Sequence, residues 1–222
     1  MKEYIKVNYE FHTTLYSINK ALKKLESYDI LSLDFEAQSV YSLKERAEAK
    51  DLLKQYSEDM SPDDIRLSKM VARSSGLSNP RISKVTHVIF GLSNHESVVL
   101  VVNGYKSLKA IMDWIVNYPG KLIIHNSLFD LKIVHYWTNK LPKDFIDTQL
   151  LTKTVINHTE NWKAKSGLKD LMSGHYDPRW CEIESYDIQD FKNEAFLRYS
   201  AIDGAATYKL YEELQEHLNE NT

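Results

Sequence analysis

The chain has 222 residues, 43% of them hydrophobic, and a formal net charge of −3. That apolar share supports a full-sized core, and the charge balance speaks against a generic polyanion binder while leaving room for basic patches around an acidic site. One cysteine, Cys181, excludes an internal disulfide framework. No apolar run reaches bilayer length, and the opening MKEYIKVNYEFHTT lacks a signal-peptide core. A cytoplasmic protein with no membrane association is expected, built as a single domain over 1–222 with an insertion at about 37–84.

Residues 28–35 (YDILSLDF) alternate. Leu31, Leu33 and Phe35 share one face, and Ser32, Asp34 and Glu36 share the other, so the spacing predicts a strand with two carboxylates on one side. Two helix-like segments follow at 43–56 and 62–73, then a polar loop through Ser78-Asn79-Pro80; these form the expected insertion. Residues 86–92 and 97–102 are rich in β-formers and are separated by a four-residue turn, the pattern of a hairpin that gives the sheet an antiparallel start. Next come an amphipathic helix at 107–118, a short buried strand at 121–125 and a helix at 127–138 with Asn126 near its cap, an α/β crossover. The last third is mainly helical, at 148–157, 167–172 and about 193–218.

In the final helix Tyr199, Asp203, Ala206, Leu210, Leu214 and Leu218 form one stripe at three- and four-residue steps. Its aliphatic end must face the core, so Asp203 faces inward as well. Asp130, Ile133, Val134 and Trp137 repeat the arrangement one helix earlier. Inward-facing carboxylates are costly unless a cation compensates them. Carboxylates with no cysteine or histidine cluster suit hard Mg²⁺ or Mn²⁺ rather than zinc, and a pair of such ions about 4 Å apart suits in-line phosphoryl displacement.

These motifs resemble those of the DEDD superfamily of 3′→5′ exonucleases in its tyrosine-bearing branch. Asp34-Phe35-Glu36 looks like the first motif, D-x-E. Asn126-Ser127-Leu128-Phe129-Asp130 looks like the second, N-x-x-x-D, and Tyr199-Ser200-Ala201-Ile202-Asp203 like the third, Y-x-x-x-D. Residues 147–151 (DTQLL) and 166–171 (SGLKDL) are similar to segments of the proofreading domains of DNA polymerase I-type enzymes. The resemblance covers about residues 28–215 apart from the insertion. It implies an α/β, ribonuclease H-like fold, a five-stranded mixed sheet flanked by helices, from which this chain departs by its helical insertion after the first strand. It also implies the 3′→5′ direction and two divalent ions, Mg²⁺ or Mn²⁺, held by Asp34, Glu36, Asp130 and Asp203, with Tyr199 orienting the attacking water. The implied substrate is single-stranded DNA or a frayed 3′ end, for an exonuclease that is either free-standing or the proofreading partner of a DNA polymerase on a separate chain. A 3′ exoribonuclease of RNase D type and a catalytically silent nucleic-acid-binding domain are the alternatives.

The remaining candidates concern substrate. Asn126 reads equally as a helix cap and as a substrate contact, and His125 as a satisfied strand-end residue. Lys163, Lys165, Lys169 and Arg179 are candidates for lining a strand channel. Trp114 and Trp137 read as core, and Trp162 and Trp180 as loop residues able to stack on a base. From residue 66 to 84 the insertion holds Arg66, Lys69, Arg73, Arg81 and Lys84 and no acid. Because the insertion leaves the sheet directly after Glu36, this basic stretch is a candidate phosphate-binding arm.

Overall fold

The computed structural model describes residues 5–72, 80–81, 83–156, 166–177, 179–180 and 193–220. The chain divides into two compact units, Met1–Glu36 with Thr86–Thr222, and Ala37–Val85. The first unit opens with strand β1 (Asn8–His12) and helix α1 (Leu15–Leu25), then β2 (Ile30–Ser32) and the start of β3 (Asp34–Ser39). Helix α1 begins at a reciprocal cap between Thr14 and Ser17 and buries Ile18, Ala21, Leu22 and Leu25, the inward stripe that its spacing encodes. The second unit holds α2 (Leu43–Tyr56) and α3 (Pro62–Ala72), which pack on each other. Helix α2 starts at a Ser42–Glu45 capping box.

The chain re-enters the first unit through β4 (Ser83–Ser93), followed by β5 (Glu96–Val101), α4 (Tyr105–Asn117), β6 (Lys121–Ile124), α5 (Leu128–Thr138), β7 (Phe145–Asp147) and α6 (Thr148–Ile156). Helix α7 (Leu168–Leu171) runs into a π-helical turn at Met172–Tyr176, and α8 (Glu194–Glu220) closes the unit.

The strands form two sets, in order β1-β5-β4-β3 and β2-β6-β7. They share the continuous stretch 30–39, which is interrupted only at Leu33, whose N–H donates to the Ile123 carbonyl at 2.8 Å. Strands β4 and β5 pair antiparallel, with a register shift between Gly91 and Ser93. Strand β1 is parallel to β5, and β6 is parallel to both β2 and β7. The mixed sheet flanked by helices is the class expected from the sequence. The expected count of five strands falls short: with 30–39 taken as one strand, the described residues contain six, because β1 adds an edge.

Alternation along β4 separates the two faces. Phe90 points to α4, its ring edge-on to Trp114 at 5.2 Å, while its neighbour Ile89 packs in a buried cluster with Val99, Leu197 and Ala201 under α8. Helix α8 approaches the sheet closely where two glycines meet. A Cβ on Gly204 would lie 2.7 Å from Ile89 Cγ2, and one on Gly91 would lie 2.7 Å from the Gly204 carbonyl carbon. Ser32, fully buried, bridges them by accepting from the Gly91 N–H at 2.9 Å and donating to the Gly204 carbonyl at 2.7 Å. Side chains alternate along a strand, so Asp34 and Glu36 share this helix-facing side with Ser32.

Candidate active site

Asp34, Glu36 and Asp203 each place a carboxylate oxygen within 4.8 Å of the other two. Two come from β3, and the third comes from α8, one residue before the glycine contact that sets the helix height. Asp203 is buried while Asp34 and Glu36 are half-buried, and Asp203 Oδ1 has no hydrogen-bond partner among the described residues. An orphaned buried carboxylate oxygen beside two more acids is electrostatically uncompensated. Burial pushes the Asp34 carboxyl up to about 6, against the pull of the Lys169 ammonium. Burial, with the charges of Asp34 and Asp203, pushes Glu36 up to about 9. Burial and Asp34 raise Asp203 to about 7, with Lys169 and the Tyr199 hydroxyl pulling the other way. The donor set is all oxygen and suits a hard divalent cation.

Asp130 stands outside that three-acid cluster. It is 2% exposed and accepts the N–H of Phe35 at 3.1 Å, so it holds the strand at the residue between Asp34 and Glu36. Burial, reinforced by the charge of Asp34, keeps its carboxyl well above the usual range. Tyr199 lies one turn before Asp203 on α8, and burial together with the charges of Asp203, Glu36 and Asp34 raises its phenol, so it stays protonated.

The loop between β6 and α5 depends on Asp147. Asn126 sits in the left-handed region, φ 57°, and its N–H reaches Asp147 Oδ1 at 3.2 Å. Ser127 donates to Asp147 Oδ2 from both N–H and hydroxyl, each at 2.8 Å. The same carboxylate caps α6 by accepting from Gln149 and Leu150. One side chain therefore fixes the turn that aims Asp130. Ser127, rather than Asn126, occupies the N-cap position of α5, with its hydroxyl turned to Asp147 and no side-chain capping bond to the helix. Burial would raise the Asp147 carboxyl, but the donors from Ser127, Leu150 and Gln149 outweigh it and hold it low. Sequence reading quoted Asp147 without giving it a role; its signal was an aspartate immediately before a helical run.

A depressed carboxylate stabilises the fold above its unfolded value of about 3.9 and loses that contribution as pH falls through the lower folded value. Asp147→Ala removes a cap worth ~1 kcal/mol and strands the Ser127 donors, at ~1–3 kcal/mol for a buried group. Urea unfolding at pH 7 should show a clear loss, and the gap to wild type should narrow below about pH 3.5. An unchanged midpoint at pH 7 would remove Asp147 from this role.

His125 Nε2 lies 3.0 Å from the Ser166 carbonyl, which can only accept, so that nitrogen carries the proton. Nδ1 is 3.0 Å from the Thr148 hydroxyl. Burial holds this imidazole below its ordinary value, and it is the satisfied strand-end residue its position suggested.

Asn126 is exposed at the mouth of the β6–α5 turn, and Arg66 and Lys69 are exposed on α3 of the second unit. Arg73, Lys163, Lys165 and Trp162 lie outside the described residues. Two aromatic expectations are overturned. Trp180 is 4% exposed in a cluster with Leu171, Met172 and Leu210, so it is core and offers no stacking face. Trp137 is 39% exposed, because the last turn of α5 packs it against the Tyr105 ring at 6.0 Å instead of under the sheet.

No protein-family model and no curated protein sequence matches the chain. Similarity to solved structures is extensive. Brucella melitensis NrnC with bound Mg²⁺ superposes with a TM-score of 0.57 at 14% identity, covering 98% of this chain and 84% of that one. The Aedes aegypti Nibbler EXO domain gives 0.60 at 9% identity, covering 100% and 94%. Escherichia coli RNase D gives 0.56 at 14% identity, covering 96% of this chain and 46% of its own length. At these identities the likeness shows the fold alone, a mixed α/β one of ribonuclease H-like type.

Proposed function

We propose that this chain is a metal-dependent 3′→5′ exonuclease that hydrolyses phosphodiester bonds at nucleic-acid 3′ ends. The observation that carries the proposal is the convergence of Asp34, Glu36 and Asp203 to within 4.8 Å, with the protonated Tyr199 one turn away on the same helix. Asp34, Glu36 and Asp203 would hold Mg²⁺ or Mn²⁺, one ion or two, with Asp130 as the fourth acid of the set. When bound, such ions supply positive charge where phosphodiester cleavage develops negative charge. Asp34 and Glu36 anchor the group from a rigid strand, Asp203 closes it from the helix, and Asp130 holds the strand in register through Phe35. Tyr199 donates a hydrogen bond toward the attacking water and does not deprotonate it, because its phenol is held well above the working pH range.

Likeness to NrnC, which has also been solved bound to pGG, and to RNase D, an exoribonuclease involved in structured RNA processing, supports nucleic acid as the substrate. The DNA-proofreading reading rests on residues 147–151 and 166–171, with a polymerase on a separate chain as partner. The RNA reading is favoured by RNase D. We assign contacts with the substrate backbone to Asn126, Lys165, Arg66, Lys69 and Arg73. Matched 5′-labelled DNA and RNA oligonucleotides, incubated with and without Mg²⁺, test the proposal. Stepwise shortening from the 3′ end that requires the metal is expected, and no shortening of either polymer would refute it. Tyr199→Phe keeps the ring packing and loses only the hydroxyl, so kcat should fall by ~10²-fold or less with metal affinity unchanged. A fall as deep as that of an acid variant would require more of the tyrosine than orienting water.

A further inference from the structure

Lys169 is the second residue of α7, and the start of that helix is tied down. The Ser166 carbonyl accepts from His125 Nε2 at 3.0 Å and from Gln149 Nε2 at 3.1 Å. From this anchored position the half-buried lysine reaches across the face of the Tyr199 ring, its Nζ 4.2 Å from the ring centroid. It ends 2.8 Å from the phenolic oxygen. Its charge also acts on Asp34, Glu36 and Asp203, lowering each carboxyl.

We propose that Lys169 is a positioning residue for the exonuclease reaction, acting through Tyr199; this rests on the function proposed above. An ammonium has three donors and no acceptor, so in the Lys169–Tyr199 contact the phenolic oxygen must accept. That contact occupies a lone pair on the phenol's outer side and directs its own proton inward, toward Asp203 and the water it orients. Without the lysine the hydroxyl keeps its hydrogen bond to Asp203 but loses the charge-assisted donor on its other side, and the ring loses the cation over its face. Lys169 therefore helps hold the phenol in the position from which it donates. A plain counter-ion to the acids would have no such dependence on the tyrosine hydroxyl.

The experiment is a double-mutant cycle in kcat and KM on a 5′-labelled single-stranded oligonucleotide in saturating Mg²⁺, using wild type, K169M, Y199F and the double variant. K169M is expected to lower kcat by about 10- to 100-fold, the scale of one charge-assisted hydrogen bond, with KM little changed. In the Y199F background the same substitution should change kcat by no more than about twofold, the ordinary error of additivity. K169R should recover part of the loss, since guanidinium also donates. Equal losses in both backgrounds would overturn the proposal and make Lys169 a counter-ion of the carboxylates. If circular dichroism shows K169M unfolded, the cycle is run with K169Q, for which equal losses in the two backgrounds are again the overturning result. A wild-type chain inactive on both DNA and RNA would instead remove the exonuclease reading itself.

Discussion

Asp203→Asn is expected to abolish metal-dependent cleavage, by about a thousandfold or more, the equivalent of several kcal/mol of transition-state stabilisation. The metal-free protein should meanwhile melt at the same temperature as wild type or higher. Both outcomes follow from one arrangement. Asp203 is raised to about 7 by burial and by Asp34, far above its unfolded value of about 3.9. Between those values the native state binds more protons than the unfolded chain, so its stability falls as pH rises through the window. At pH 8 wild type thus carries ionised, mutually repelling acids in the absence of metal, and the asparagine removes one of them. Mg²⁺ should reverse the order, because a ligand that binds only the native state stabilises it by mass action, and the variant has lost part of the site. Thermal melts at pH 8 in EDTA and in Mg²⁺, run beside the cleavage assay, check the reversal. Near-normal activity, or a metal-free variant that melts well below wild type, would refute the assignment of Asp203 to the metal site.

Gly91→Ala should be strongly destabilising, costing about 3 kcal/mol or more. Its Cβ would meet the Gly204 backbone and the Ser32 hydroxyl, neither of which can move without lifting α8 or breaking the buried Ser32 bridge. Lifting α8 also carries Asp203 away from Asp34 and Glu36, so activity should fall together with stability. Gly204→Ala is the control. Its Cβ meets chiefly Ile89 Cγ2, a side-chain methyl rather than backbone, at 2.7 Å, and alanine gains ~1 kcal/mol of helix propensity over glycine. Its net loss should be smaller. Urea midpoints of the two variants decide the matter, and a Gly91→Ala variant as stable as wild type would mean that the helix–sheet contact is not rigid.

Asp34, Glu36, Asp130, Tyr199 and Asp203 could be placed on their elements from the sequence because each sits in a regular element whose periodicity shows there. Alternation placed Asp34 and Glu36 together on one face of a strand, and the aliphatic stripe of α8 required Asp203 to point inward. The β4–β5 hairpin, α4 and β6 were legible for the same reason. The edge strand β1 and helix α1 were not read at all: the strand NYEFH is mostly exposed and is held by its pairing with β5, a partner more than eighty residues away that local pattern does not reveal. Trp180 shows the same limit, since a tryptophan in a polar loop becomes core only when α8 covers it.

The sequence by itself determined the α/β class and the side of each element on which its acids lie, since strand and helix periods are local properties of the backbone. Only the tertiary structure decided that three of the acids share one cluster while Asp130 holds the Phe35 N–H, that Asp147 governs the Asn126 turn, and that Lys169 meets Tyr199. Each of these depends on contacts between segments distant in the chain, and such contacts are set by how closely α8 packs on the sheet and how the loops are tied, neither of which any local period encodes.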